Sequence, residues 1–215
     1  MTLPIIVAVG GFASNVGKTT LMCELLRAFP GWEAIKMTRG HYRSCGKDPH
    51  ACCVSHLLKD EPVIRSGRKQ TYAQGKDTGR YWDAGARNVH WVIVTDKQVE
   101  AGIDQALARV EAPCVLIEGN SFLQFIEADY TLMAARADGG GKIKPTARRA
   151  LAKTSALYLF EDETSATNIS PHEQFAAWRK TFVDDHLIRH LPVYTRDDLP
   201  QLFARLRALH KPLAA

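Results

Sequence analysis

A glycine-rich segment near the start of the chain has the residue types that bind phosphate groups. Residues 10–20 follow an apolar run at residues 3–9 and precede another at residues 21–26. In a loop between a strand and a helix, backbone N–H groups cradle phosphate oxygens, the lysine reaches the β- and γ-phosphates, and the hydroxyl ligates Mg²⁺. We therefore predict a polyphosphate-binding loop in which Lys18 contacts the terminal phosphates and Thr19 the metal. The complete predicted set is Ser14, Asn15, Val16, Gly17, Lys18, Thr19 and Thr20.

The loop departs from the usual phosphate-loop spacing at one position. The first glycine of such loops lies about five residues before the one at Gly17. This chain has Phe12 there, and its nearest glycines are Gly10 and Gly11. That glycine permits a tight turn. Either Gly10 and Gly11 make the turn sooner, or Phe12 packs beneath the loop.

Lys36 and Glu118 lie at the ends of predicted strands, where ligands bind in open parallel sheets, and Asp77 lies ahead of the second predicted helix. Glu118, at the end of a buried strand, is predicted to hold Mg²⁺ or its water. Asp77, on a mobile loop, is predicted to complete the metal shell once nucleotide is bound. Lys36, at the end of the second strand, is predicted to neutralise charge on the transferred phosphate. The structural alternatives are a rim carboxylate, a helix N-terminal carboxylate and a solvated lysine, and we interpret Asp96 only as a loop acid.

Apolar runs of strand length alternate with helical patterns along the chain. The predicted strands are residues 3–9, 33–38, 89–94, 113–118, 130–135, 156–160 and 192–194. The predicted helices are residues 18–29, 81–86, 99–110, 146–153, 173–182 and 199–209. This alternation predicts an α/β fold, the three-layer P-loop nucleotide-hydrolase fold with a mostly parallel central sheet. We expect residues 1–215 to form a single P-loop NTPase domain, with an irregular Cys/His-rich insert at about residues 39–76.

The insert is dense in residues that bind soft metals. Its cysteines and histidines are His41, Cys45, His50, Cys52, Cys53 and His56. Such a set suits Zn²⁺ or Ni²⁺, with Cys45, His50, Cys52 and Cys53 as candidate ligands. The favoured interpretation is a flexible loop with reduced thiols, because the adjacent Cys52 and Cys53 cannot readily both reach one ion.

The composition favours a globular protein with anionic ligands. The 215 residues are 46% hydrophobic and 24% charged, and no stretch approaches the roughly 18 apolar residues of a membrane span. The first residues lack the features of a signal peptide, so we expect a cytoplasmic protein with reduced cysteines and no membrane partner. The net charge of +5 favours anions in general. The basic residues are scattered without interleaved aromatics, which favours phosphorylated small molecules and argues against a nucleic-acid partner.

Four segments together resemble a known protein family. They are residues 17–21, 35–41, 75–86 and 115–119, and their order and spacing are similar to the molybdopterin-guanine dinucleotide biosynthesis adaptor protein B family. That family is a GTP-binding branch of the P-loop proteins that also includes dethiobiotin synthetase and the nickel-insertion GTPases of urease and hydrogenase. The resemblance covers about residues 1–120.

The resemblance implies a specific function. It implies that the protein uses Mg²⁺ and GTP as cofactors. Lys18 would then bind the phosphates and Thr19 the metal. Asp77 and Glu118 would belong to the shell around the metal and the γ-phosphate, and Lys36 would lie beside the terminal phosphate. It also implies a homodimer with weak intrinsic hydrolysis that assists molybdenum-cofactor biosynthesis, with a molybdenum-cofactor guanylyltransferase as a possible partner. The expectation that the nucleotide is GTP and not ATP rests on the resemblance alone, because no guanine-reading Asn-Lys-x-Asp motif is present.

Two other functions stay open at this point. One is an ATP-dependent small-molecule kinase or ligase of the dethiobiotin-synthetase type, whose acceptor would bind near Lys36. The other is a nickel or zinc metallochaperone GTPase that uses the Cys/His-rich insert. The glycine-rich residues 139–145 could close over an anionic substrate, although a solvated loop is the favoured interpretation.

Overall fold

The computed structural model describes residues 3–40, 54–161 and 169–209. Its strands, in chain order, are β1 (Ile5–Gly11), β2 (Glu33–Arg39), β3 (Val63–Ser66), β4 (Val89–Val94), β5 (Cys114–Glu118), β6 (Tyr130–Arg136), β7 (Ala156–Phe160) and β8 (Val193–Tyr194). They form one sheet in the order β3-β4-β2-β5-β1-β6-β7-β8. Among the strands of the described ranges, only β3 pairs antiparallel to its neighbour. The predicted mostly parallel sheet is confirmed.

Helices cover both faces of the sheet. They are α1 (Lys18–Ala28), α2 (Arg68–Thr71), α3 (Asp77–Asp83), α4 (Val99–Leu107), α5 (Pro145–Ala150), α6 (Pro171–Arg179), α7 (Asp185–Ile188) and α8 (Leu199–Leu209). Val7 and Val9 of β1 pack in the buried cluster that contains α1, α3 and α8. Ala8 packs in the cluster on the other face, with α4 to α7. Alternate residues of a strand point to opposite faces, so the two clusters define three layers. Within the described ranges, no helix has the length and apolar character needed to cross a membrane.

The second half of the predicted insert contains regular structure. Residues 54–76 include β3 and α2, which the sequence pattern does not predict. β3 lies at the edge of the sheet, and each of its four residues is only half-buried. An edge strand with one neighbour needs no continuous apolar run. The short sequence Val63-Ile64-Arg65-Ser66 therefore gives a weak signal, although β4 pairs with all of it.

A buried polar cluster joins the elements at the amino-terminal edge of the parallel strands. Glu33 of β2 and His90 of β4 are each 1% exposed, and Glu33 Oε2 lies 2.8 Å from His90 Nε2. Ser66 Oγ of β3 lies 2.8 Å from His90 Nδ1. The other oxygen of Glu33 accepts the N–H groups of Glu111 and Ala112, just before β5. Glu33 and His90 thus link three strands and a turn, at the edge opposite the glycine-rich loop.

The Glu33 carboxylate is expected to make stability depend on pH. Burial alone would raise the pKa of Glu33, but hydrogen bonds from His90, Glu111 and Ala112 and the charge of His90 outweigh it and hold the pKa below its ordinary value of 4.5. A lowered pKa stabilises the folded state above the unfolded pKa, and this stabilisation is lost as pH falls through the folded pKa. We expect Glu33→Gln to lower the free energy of unfolding by about 2 kcal/mol at pH 7, as measured by urea denaturation.

The difference between wild type and Glu33→Gln should shrink as pH falls below 4.5. Glu111→Gln, which makes the same chemical change on an exposed side chain, is the matched control and should leave stability at pH 7 nearly unchanged. A difference between wild type and Glu33→Gln that stays constant across this pH range would contradict the expectation.

Candidate functional site

The glycine-rich loop leaves the first turn of α1 open. β1 ends at Gly11 and α1 begins at Lys18, and between them Asn15 and Gly17 adopt left-handed backbone with φ of 56° and 75°. In the described chain, no side chain caps α1 and its first turn holds no acidic residue. The first N–H groups of a helix lack partners within it and carry partial positive charge. The loop and the helix end are therefore suited to an anion.

Phe12 packs beneath the loop. Its side chain is 4% exposed, and its ring centroid lies 5.9 Å from those of Trp178 and Phe182. Its N–H donates to the carbonyl of Ala134, which continues the β-ladder past the end of β1. Gly11 pairs with Ala134 in that ladder, so it makes no early turn. Of the two arrangements expected from the sequence, the packed phenylalanine is the one found.

Gly11 and Gly17 let neighbouring groups approach the loop closely. A Cβ atom on Gly11 would lie 2.7 Å from Val16 Cγ2 and 2.8 Å from Lys18 Cδ. A Cβ atom on Gly17 would lie 2.2 Å from the ring of Phe160. The space beside Gly11 accommodates the aliphatic part of the Lys18 side chain, which folds back so that its Nζ lies 3.4 Å from the carbonyl of Ala13.

Asn120 clamps the start of the loop and was not predicted as a site residue. Its Oδ1 accepts the Gly11 N–H at 2.8 Å, and its Nδ2 donates to the Gly11 carbonyl, also at 2.8 Å. The sequence feature that could have identified Asn120 as a site residue is its position, because it follows Glu118 and Gly119 at the carboxyl end of β5. This reciprocal pair fixes β1 against the residues after β5.

The predicted charged residues meet beside the loop. Glu118 is 3% exposed, and its Oε2 accepts hydrogen bonds from Thr19 Oγ1 at 3.1 Å and from the Tyr81 hydroxyl. Its Oε1 lies 2.5 Å from Lys36 Nζ. Lys36 Nζ also lies 2.6 Å from Asp77 Oδ2. Thr19, Lys36, Asp77 and Glu118 thus form one cluster, which we call the carboxylate cluster.

Sheet register and helix geometry bring the carboxylate cluster together. β2 and β5 pair so that Lys36 lies opposite Glu118. Lys36 does not end its strand as predicted, because β2 continues along β4 to Arg39. Asp77 is the first residue of α3 and not part of a loop. Tyr81, which was not predicted, comes four residues later, about one helical turn, and so shares its face.

Burial and charge shift the pKa values of these groups. Burial would raise the pKa of Asp77, but the charge and hydrogen bond of Lys36, with Thr19 and Arg80, hold it below its ordinary value. Burial, and then the Glu118 charge, raise the pKa of Tyr81 well above its ordinary value, so Tyr81 keeps its proton and donates a hydrogen bond to Glu118. Burial lowers the pKa of Lys18, although the Glu118 charge partly opposes this effect.

A cleft of about 710 Å³ lies over the loop and the carboxylate cluster. Its charged lining residues are Lys18, Lys36, Arg39, Arg80, Arg136, Lys144, Asp77 and Glu118. Six of these are basic and two are acidic, so the cleft carries an excess of positive charge. Such a cleft concentrates anionic ligands. The lining also includes all seven of the predicted phosphate-loop residues.

The carboxylate cluster has donors that fit Mg²⁺. The Thr19 hydroxyl and the Asp77 and Glu118 carboxylates are hard oxygen donors, and Glu118 already contacts Thr19 directly. Mg²⁺ is usually held by one or two carboxylates together with phosphate oxygens and waters. The candidate zinc or nickel ligands Cys45, His50, Cys52 and Cys53 lie outside the described residues. Within the described ranges, no group of three His, Cys, Asp or Glu side chains could hold a metal ion.

The fold is similar to that of LpxK, which was solved in complex with ATP. The apo form of LpxK from Aquifex aeolicus in complex with ATP matches 90% of this chain and 54% of its own, with 15% identity and a TM-score of 0.51. A zinc-bound triple mutant of the YjiA GTPase matches 91% of this chain and 58% of its own, with 14% identity and a TM-score of 0.44. The chain therefore spans somewhat more than half the length of these structures.

The sequence itself matches no protein-family model and no curated protein. The three layers, the sheet and the likeness to LpxK establish the class: the chain has the α/β fold of the P-loop NTPases, as predicted. At this level of identity the likeness concerns the fold alone.

Proposed function

We propose that the cleft binds a nucleoside triphosphate with Mg²⁺ and hydrolyses its terminal phosphate slowly. One observation carries the proposal: the carboxylate cluster lies beside an uncapped helix N-terminus in a cleft with excess positive charge. The loop amides and Lys18 would bind the phosphates, while the carboxylates would hold the metal. A protein with only a structural role would have no need for this arrangement.

The metal would be held by Thr19 and Glu118, with Asp77 completing the shell. When bound, Mg²⁺ neutralises charge on the β- and γ-phosphates. Lys36 is held between two carboxylates, so its ammonium group is positioned before any substrate arrives. A charge that is positioned in advance stabilises a transition state without the cost of reorganisation.

In the proposed reaction, a water oxygen bonds to the γ-phosphorus as the bond to the β,γ-bridging oxygen breaks. The bridging oxygen keeps the electron pair and leaves with the diphosphate, and the proton of the water passes to the inorganic phosphate. Negative charge spreads over the γ-phosphate oxygens during this step. Lys18 and Lys36 would face that charge.

The proposal is tested by titration calorimetry with non-hydrolysable analogues of GTP and ATP, with and without Mg²⁺. We expect Mg²⁺-dependent binding that is at least about tenfold weaker in Lys18→Ala, because a charged hydrogen-bond donor to phosphate is lost. Lys97→Ala removes an exposed lysine far from the loop in sequence and serves as the control. Wild-type protein that binds neither nucleotide would overturn the proposal.

We further propose, from the resemblance of residues 1–120, that the nucleotide is GTP and that the protein assists molybdenum-cofactor biosynthesis. In this proposal the chain is a single domain that forms a cytoplasmic homodimer and acts with a molybdenum-cofactor guanylyltransferase. GTP selectivity in the titration, and GTP-dependent binding to the purified guanylyltransferase, would support it. ATP selectivity with acceptor-dependent ADP release would instead favour a small-molecule kinase or ligase.

A further inference from the structure

The connection between β6 and α5 lies directly on the phosphate loop. The N–H of Lys144, at the end of this connection, donates to the carbonyl of Phe12 at 2.8 Å. A Cβ atom on Gly141 would lie 3.0 Å from the Cβ of Ala13, so the two backbones approach closely. A Cβ atom on Gly139 would lie 2.0 Å from Trp178 Cδ1. This segment, expected from its glycines to be a solvated loop, therefore contacts the phosphate loop at two points and packs against α6 at a third.

Lys144 is fixed at the side of the cleft. Its backbone is tied to Phe12, and Pro145, the next residue, begins α5. Its side chain is half-buried and lines the cleft. Burial, followed by the charges of Arg39 and Lys36, lowers the pKa of Lys144. The charge of Lys144 in turn contributes to lowering the pKa of Lys18. These cations therefore lie close enough to repel one another.

Lys144 is one of three cleft cations, with Lys18 and Arg80, that form no ion pair among the described residues. Lys36 is held between two carboxylates, and Arg39 and Arg136 each pair with an aspartate, at 2.6 and 2.9 Å. Among the described residues, no ion pair involves the Lys144 ammonium group. The Glu118 charge offsets only part of the effect of Arg39 and Lys36 on Lys144, so the like charges still raise the free energy of the empty cleft. An anion bound between Lys18, Lys36 and Lys144 would relieve that repulsion.

Resting on the proposed function, we propose that Lys144 is a catalytic residue that contacts the γ-phosphate and stabilises the charge on its oxygens as the bond to the bridging oxygen breaks. P-loop NTPases need a cation at this place, supplied by the same chain or by a partner. The contact of the β6–α5 connection with Phe12 would set the position of Lys144 relative to the phosphates. In this protein the same chain would supply that cation, as the ammonium group of Lys144.

The test compares Lys144→Met, which removes the charge at similar length, with Lys144→Arg, which keeps it. In Lys144→Met we expect kcat for nucleotide hydrolysis to fall by a factor on the order of 10², with a much smaller change in the Kd of the triphosphate. Affinity for the diphosphate with aluminium fluoride, a mimic of the transferring phosphate, should fall by a similar factor. Lys144→Arg should retain most of both properties.

Lys142→Met is the matched control, because Lys142 is an exposed lysine of the same connection. Wild-type protein that binds nucleotide, with Lys144→Met equal to it in aluminium fluoride affinity, would overturn this inference and leave the proposed function intact. An equal loss of kcat and of aluminium fluoride affinity in Lys142→Met would also overturn it, since the effect would then come from the change in net charge and not from the position of Lys144. Wild-type protein that binds no nucleotide would overturn the proposed function itself.

Discussion

Glu118→Gln is expected to lower kcat for nucleotide hydrolysis by a factor on the order of 10³ and to weaken Mg²⁺ dependence. The variant keeps the shape of the side chain but removes its charge and one of its acceptor oxygens. Glu118 Oε2 contacts Thr19, the other proposed metal ligand, and Oε1 contacts Lys36. One substitution therefore weakens metal binding and frees the lysine that faces the γ-phosphate. Steady-state kinetics across a Mg²⁺ titration measure both effects.

A general loss of stability must be separated from a loss of catalysis. Glu118 is buried and ion-paired, so its replacement also costs folding free energy. Tyr81→Phe removes only the hydroxyl that donates to Glu118, and it should change kcat far less than Glu118→Gln does. Glu100→Gln makes the same chemical change on an exposed carboxylate. Glu118→Gln with wild-type kcat and wild-type Mg²⁺ dependence would contradict the metal role of Glu118.

Strands buried on both faces were predictable from the sequence. β7 and the first four residues of β5 are continuous apolar runs because helices cover both sides of the sheet, and a run of that kind has few other interpretations. β3 was not predictable, since an edge strand with half-buried residues needs no such run. The amphipathic pattern of α8 gave its bounds correctly. Buried strands could therefore be predicted from the sequence, whereas the half-buried edge strand could not.

The candidate site divides in a similar way. Lys18, Thr19 and Glu118 have motif or strand-end positions that suggest a role from sequence alone. The contact of Thr19 with Glu118 depends on the pairing of β1 with β5, which the sequence does not specify. Tyr81 reads as an ordinary core aromatic, and Lys144 as a lysine in a flexible loop. Their roles depend on tertiary contacts, Tyr81 with Glu118 and Lys144 with Phe12, between residues far apart in sequence.

Phe12→Gly, which restores the first glycine of the usual phosphate-loop spacing, is expected to lower the free energy of unfolding by about 3–5 kcal/mol. The Phe12 ring is buried against Trp178 and Phe182, and its removal would leave a cavity between β1 and α6. Urea denaturation measures the loss. Phe125→Ala, at a phenylalanine that is 43% exposed, is the control and should cost far less.

The same variant separates two explanations for Phe12. If the residue merely replaced a glycine needed for the turn, Phe12→Gly would bind nucleotide more tightly at little cost in stability. The structure favours the opposite result. The Phe12 N–H extends the ladder to β6 and its carbonyl holds Lys144, so the residue links the loop to the cation beside it. Added backbone freedom at this position should loosen both contacts. We therefore expect stability and kcat to fall together in Phe12→Gly, whereas Lys144→Met should lower kcat with little change in stability.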